Sequence, residues 1–231
     1  MLVPATLLLH LLARLRLPTS LFRPLFRLWC GIWVLALGVR LRLRRHHQAP
    51  LPERFILVAN HPSAFEDIGI PALFNVDSLA KEEVRDWFLV GKISEAAGTL
   101  YVQRESRTSR KQASASLQER LMAGRNVAVY PEGGVKGMRV HPFRYGVFDL
   151  SLRTGVPILP VFIQYSPEER FYWHHEPLPG KIWQIMQAPE AEASFHLYDA
   201  IEPSGFSSVE TYCDAVYHRY LDWQAQLLDQ E

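Results

Sequence analysis

One stretch of this chain carries the parts of a general base. The run NHPSAFED, residues 60–67, sets His61 directly after the apolar run FILVAN (55–60) and places Glu66 five residues on. A carboxylate that accepts from one imidazole nitrogen fixes the tautomer and leaves the other nitrogen free to take a proton. No Gly-x-Ser-x-Gly elbow supplies a protein nucleophile, so the hydroxyl such a base would activate belongs to a substrate. A strand-end histidine beside a solvated glutamate is common in proteins that do no chemistry, so the assignment depends on what else lies nearby.

Other polar groups follow apolar runs in the same way. After TLYVQ (99–103) come Arg104 and Arg107. A guanidinium at a strand end can grip a phosphate through two parallel hydrogen bonds. After NVAVY (126–130) comes PEGG, with Glu132 as a polar handle and the pair Gly133 and Gly134. Glycines let the backbone approach a ligand and turn its N–H groups toward an anion. The run VPILPV (156–161) carries Pro157 and Pro160, which a strand tolerates best at its entry. One rival pattern fails: HHEPLPG (174–180) begins like the His-His-x-x-x-Asp-Gly of condensation enzymes. It has Pro179 where the Asp is needed, and the chain is too short for that two-lobed fold. Tyr172 and Trp173 beside it read as pocket wall or interface.

These residues need a scaffold, and the apolar runs outline one. FILVAN, WFLVG (87–91), TLYVQ, NVAVY, PILPVFIQY (157–165) and ASFHLY (193–198) read as buried strands. Helical stretches alternate with them: 64–74, the amphipathic 109–123 closed by Gly124, 148–154 stopped by Gly155, and an amphipathic tail over 207–228. The alternation predicts an α/β domain with a mostly parallel central sheet flanked by helices, over residues 48–231. In such sheets ligands bind beyond the carboxyl ends of the strands, where His61, Arg104 and Glu132 fall.

The remaining segment, residues 1–47, differs in charge. The chain has 231 residues, 48% hydrophobic, with a net charge of +1, which excludes a disordered or disulfide-rich chain. Yet residues 1–50 hold eight arginines and no acid, leaving the rest at −7. Two helical stretches are expected there, broken at Pro18. The second would start after Thr19 and Ser20 as N-caps and run to about Arg45. Its uncharged core, 28–39, would span only about 18 Å against a hydrocarbon thickness of about 30 Å. No positive charge precedes the first apolar run, as a cleaved signal requires. The expectation is a membrane-associated helical hairpin, its leucines and tryptophans in lipid and its arginines on anionic headgroups. Basic residues interleaved with leucines, without a reading motif, argue against nucleic acid as partner. The two cysteines, Cys30 and Cys213, lack the spacing of a metal site, and none is expected.

In order, these pieces resemble the glycerolipid acyltransferase family typified by bacterial 1-acylglycerol-3-phosphate acyltransferases. NHPSAFED is similar to its Asn-His-x-x-x-x-Asp block, GTLYVQR (98–104) to Gly-x-x-Phe-x-x-Arg, YPEGG (130–134) to Phe-Pro-Glu-Gly-Thr, and VPILPV to the fourth block. HPFRYGVF (141–148) also matches the run after the third. The resemblance covers roughly residues 50 to 205. It implies His61 as general base oriented by Glu66, and Arg104 on the acceptor's phosphate. Glu132, Gly133 and Gly134 would stand at the acceptor or the oxyanion, and Pro160 at the acyl pocket. The donor would be acyl-CoA or acyl-carrier protein, with no further cofactor, and the place of action the cytoplasmic face of the inner (plasma) membrane. Position 66 is Glu where the family's usual residue is Asp. Gly134 replaces a Thr or Ser, and Val135 an Arg for which Lys136 is the expected substitute. These departures weaken lysophosphatidic acid as the specific acceptor. A lipid thioesterase and a non-catalytic membrane-binding module are the alternatives.

Overall fold

The computed structural model describes residues 2–173 and 177–229, so the rejected His174-His175 pattern lies outside the described residues. At the centre lies β2 (Ile56–Ala59), buried along its whole length. It pairs in parallel with β5 (Asn126–Val129) on one side and with β6 (Ile158–Ser166) on the other. Beyond β5, β3 (Val76–Lys81) and β4 (Leu100–Val102) continue the parallel array. Beyond β6, β7 (Glu192–Leu197) runs antiparallel, and β1 (Arg40–Arg45) pairs in parallel with it. The seven strands form one sheet in the order β1-β7-β6-β2-β5-β3-β4. The expected mostly parallel sheet is thus present, with one antiparallel junction, β6–β7, among the described residues.

Both faces are covered, which is why β2 has no polar side chain. On one face α5 (Arg107–Met122), α6 (Gly146–Thr154) and α9 (Val209–Leu227) supply Leu117, Leu121, Phe148, Tyr212 and Tyr220 to a core with Ile56, Val58 and Ile158. On the other, α2 (Thr19–Ala36), α3 (Glu66–Leu73), α7 (Glu168–Phe171) and α8 (Leu178–Met186) pack Val34, Ile70, Phe171 and Ile185 against Leu57, Leu159 and Phe195. A third cluster joins α1 (Leu2–Arg14) and α2 to α4 (Val90–Ala97) through Leu9, Phe22, Trp29 and Ile93.

Several sequence expectations need correction. The second helix does not reach Arg45. It ends at Ala36, and Gly38, at φ +73°, turns the chain left-handedly into β1. Leu41 and Leu43 then face the core while Arg40, Arg42 and Arg44 point outward, the period-2 pattern of a strand. The sheet therefore takes an edge strand from within residues 1–47. The same helix is capped by Pro18, and neither Thr19 nor Ser20 makes a capping bond. The run 87–91 is not a strand. Residues 82–86 form a 3-10 turn, and α4 begins at Val90. The strand beside β5 is instead VDSLAK, whose mixed polarity hides it.

The arginines of this region are also used differently from the expectation. Arg23 is buried and pairs with Asp77 at 2.7 Å, while donating to the Ala97 carbonyl at 3.2 Å. Asp77 also holds Arg125 at 3.0 Å, so α2, β3 and the start of β5 meet at one buried carboxylate. Arg27 donates to the Pro71 carbonyl at 3.1 Å. Arg40, Arg42 and Arg44 all approach Glu192. Four of the eight arginines thus meet carboxylates, Arg40, Arg42 and Arg44 sharing Glu192, while Arg27 meets a carbonyl; Arg14, Arg16 and Arg45 lack such partners among the described residues. No helix among the described residues is long and apolar enough to cross a membrane.

Candidate active site

The carboxyl end of β2 runs straight into His61, and α3 begins at Glu66. The turn between them folds the carboxylate back under the imidazole. Glu66 Oε2 lies 3.3 Å from His61 Nδ1. Its other oxygen accepts from the Ser63 backbone N–H at 3.0 Å and from the Tyr165 hydroxyl at 2.9 Å. Glu66 is wholly buried and His61 nearly so. With three donors around it, the carboxylate cannot swing away. It holds the proton on Nδ1 and leaves Nε2 as the basic nitrogen. Burial alone would lower the His61 pKa, but the hydrogen bond and charge of Glu66, aided by Asp67, outweigh it and raise it above its ordinary value. The Tyr130 ring stacks on the imidazole, with centroids 4.2 Å apart and planes 11° from parallel.

Glu132 sits below this pair and is almost wholly buried. One oxygen accepts from the His61 backbone N–H at 2.9 Å, the other from the His141 N–H at 3.0 Å. Glu132 lines none of the neighbouring cavities and acts as a staple that holds the His61 turn against the 141 loop. Burial pushes its pKa up to about 7, against the pull of those two N–H donors.

His61 opens into a cleft of about 770 Å³ whose walls include Asp67, Lys81, Trp87, Phe88, Arg104, Tyr130 and Val135. Arg104 thus stands in the same cleft as the imidazole, as expected from the sequence. Phe88 is exposed at its rim. Through Ala64, Asp67, Trp87 and Leu178 the cleft shares a wall with a narrower apolar cavity of about 140 Å³. That cavity lies between α2 and α8, lined by Phe26, Trp29, Trp33, Leu37, Ile182 and Ile185. Apolar walls and a base at the mouth suit a ligand with a long hydrocarbon part and a reacting polar end.

Three site expectations change. Pro160 is buried within β6, in register with Val58, and lines neither cavity. The apolar cavity is shaped instead by aromatic side chains of α2, Phe26, Trp29 and Trp33. Lys136 is exposed and lines neither cavity, while Val135 is on the cleft wall. Gly133 and Gly134 lie beside arginines: a Cβ at Gly133 would sit 2.6 Å from Arg144 Nε, and one at Gly134 would sit 3.3 Å from Arg104 Nη1. Sequence reasoning missed Lys81, Asp67 as a cleft wall, and Tyr130. Lys81 ends β3, so recognising VDSLAK as a strand would have exposed it.

The fold and this site define a class: an α/β protein with a buried histidine–carboxylate pair in a cleft beside an apolar cavity. The family model described as Acyltransferase matches residues 40–164, and the chain belongs to that family, in its PlsC-type branch. It is similar to the lyso-ornithine lipid O-acyltransferase of Pseudomonas aeruginosa, at 34% identity over 85% of this chain and 79% of that protein. It is also similar to the 1-acyl-sn-glycerol-3-phosphate acyltransferase of Neisseria meningitidis, at 28% identity over 81% of each. The crystal structure of PlsC from Thermotoga maritima, an acyltransferase for 1-acyl-sn-glycerophosphate, shares the fold. Its TM-score is 0.63 at 20% identity, covering 96% of this chain and 97% of that one.

Proposed function

We propose that this enzyme moves a fatty acyl group from acyl-CoA or acyl-carrier protein to the hydroxyl of a lysolipid, 1-acylglycerol-3-phosphate or a relative of it. The observation that carries this reading is His61, held by Glu66, in a cleft that shares a wall with an apolar cavity. The acceptor hydroxyl gives its proton to Nε2 as its oxygen attacks the thioester carbonyl. The C–S bond then breaks, and the departing thiolate takes the proton back from His61. Glu66 stabilises the imidazolium between these steps. General-base assistance of this kind is worth about a hundred- to ten-thousandfold in rate.

The reading extends to a membrane. Leu7, Leu8, Leu11 and Leu15 of the first helical segment, with Leu21, Leu28 and Leu35 of the second, are exposed. So many exposed leucines on neighbouring helices form a surface suited to lie in the lipid interface. Arg14, Arg16 and Arg45 are left to meet anionic headgroups. The enzyme would then take its lysolipid from the cytoplasmic face of the inner membrane.

The test is product analysis. Purified full-length protein is offered a panel of lysolipids with acyl-CoA and, separately, with acyl-carrier protein, and thiol release is followed beside lipid mass spectra. Conversion of one lysolipid to its diacyl form, lost in His61→Ala, supports the proposal. Free fatty acid without acylated lipid points to hydrolysis, and full turnover by His61→Ala removes the general base.

A further inference from the structure

A second cavity, of about 550 Å³, lies on the far side of Arg104 from the catalytic cleft, between α5 and α6. Arg104, Arg110 and Arg144 line it, with no carboxylate among its walls. Arg104 and Tyr130 line both this cavity and the cleft, so the two spaces meet at those side chains. Neither the Arg104 nor the Arg144 guanidinium has an ion-pair or hydrogen-bond partner among the described residues. Arg110 is tied to the Arg104 carbonyl at 2.6 Å. Burial lowers the Arg104 pKa, and the charge of Arg144 lowers it further, so the two guanidiniums repel one another.

An unpaired cationic pair is the arrangement that an anion relieves. Two further features point the same way. The Tyr130 hydroxyl is buried and has no hydrogen-bond partner among the described residues. A buried donor without a partner is unfavourable, and a ligand that accepts from it would remove that cost. Gly133 and Gly134 leave the space in which the Arg144 and Arg104 side chains lie against the backbone. Arg144 is held there by its own N–H, which donates to the Pro131 carbonyl at 2.9 Å. The α6 helix begins at Gly146 on the same cavity wall, adding the positive end of its dipole.

We propose that Arg144 and the Tyr130 hydroxyl complete, with Arg104, a phosphate-ester site beside the catalytic cleft. Arg144 then does what the arginine missing at Val135 would have done, a role the exposed Lys136 does not fill. This rests on the acyl-transfer reading for the identity of the phosphate carrier, which is either the acceptor lysolipid or the donor coenzyme. A phosphate dianion suits two guanidiniums and a hydroxyl. The ornithine headgroup carries an ammonium besides its carboxylate, and would bring a fourth cation into a cavity already lined by three arginines and no acid.

The test compares Arg144→Gln, Arg144→Lys and Tyr130→Phe in the full chain. KM is measured for lysophosphatidic acid, lyso-ornithine lipid, acyl-CoA and acyl-carrier protein, and glycerol 3-phosphate binding is measured by calorimetry. Arg144→Gln should raise one phosphate-dependent KM by about ten- to a hundredfold, as expected for loss of a charged hydrogen bond. Arg144→Lys should recover part of it. Tyr130→Phe should raise the same KM about fivefold without lowering the melting temperature, because the stacked ring stays and only an unpaired oxygen is lost. A rise for lysophosphatidic acid assigns the site to the acceptor, and a rise for acyl-CoA alone assigns it to the coenzyme. Unchanged KM values in both Arg144→Gln and Tyr130→Phe overturn the proposal. If the wild type acylates no lysolipid, the acyl-transfer reading fails, but the calorimetry still decides the site. Glycerol 3-phosphate bound by wild type and lost in Arg144→Gln supports it, and equal binding or none overturns it.

Discussion

Tyr165 donates its hydroxyl to Glu66 at 2.9 Å from the far side of the sheet's carboxyl edge. A residue 99 positions along the chain thus steadies the carboxylate that steadies His61. Orientation of the imidazole is a property of β6 as much as of the local NHPSAFED turn, and the expected effects of substitution follow from that arrangement.

Glu66→Gln removes the charge that holds the His61 pKa above its ordinary value. His61 acts as a base only when neutral, so kcat/KM rises with pH through that pKa. In the wild type the acid limb should therefore sit above the ordinary histidine range. In Glu66→Gln burial is opposed only by the charge of Asp67, and the limb should move to lower pH while the plateau rate falls. A pH–rate profile from pH 5 to 9 checks both, and an unmoved limb would separate His61 from Glu66.

Glu132→Gln replaces one acceptor oxygen by an NH2 group that faces a backbone N–H. An unmade buried hydrogen bond of this sort costs about 1–3 kcal/mol. The expected result is a lower urea midpoint and a fall in kcat, with KM for the acceptor little changed, since the buried carboxylate lies outside the cleft's lining. A selective rise in KM would instead return Glu132 to the substrate.

Asp77→Asn leaves Arg23, Arg120 and Arg125 around a neutral amide. Removing one member of a buried ion pair costs about 3–5 kcal/mol. Urea unfolding should show that loss, and limited proteolysis should cut first between α1 and α2, which Arg23 ties to β3.

Replacing Leu7, Leu8 and Leu11 together by Ser should leave the fold intact, since all three are exposed. Sedimentation with vesicles of anionic phospholipid should show more than tenfold weaker binding, since each buried methylene contributes about 0.8 kcal/mol and the three changes remove several of them. Equal sedimentation of variant and wild type would move the lipid contact elsewhere.

What could be read from the sequence were the strands that are uniformly apolar. FILVAN and NVAVY are largely buried, and TLYVQ, though a half-buried edge strand, is apolar enough to stand out, so the ends of all three, with His61, Arg104 and Glu132, could be located. β3 escaped because Asp77 sits within it as a buried counter-ion for three arginines, a need that only long-range packing creates. WFLVG misled for the opposite reason: Trp87 and Phe88 are apolar because they wall a cleft, not because they cross a sheet. Continuity with an apolar helix hid the alternation in RLRLRR. Tyr130 and Arg144 lie within the recognised runs YPEGG and HPFRYGVF, but what each faces depends on what lies across a cavity. Pro160 was placed at the acyl pocket by resemblance alone, and the sheet register puts it elsewhere.

The alternation of β1 also bears on how these molecules behave in a crowd. An open sheet ends in unpaired backbone groups that invite strands from other chains. Here one margin is β4, only three residues long, and the other is β1, where Arg40, Arg42, Arg44 and Arg45 leave no flat apolar ribbon to copy. A second molecule adding its own β1 alongside would set like charges against like, which repels. The arginines that looked like a lipid address therefore act as guards against strand-by-strand polymerisation, and trading them for threonine or valine would yield a chain that folds but clumps.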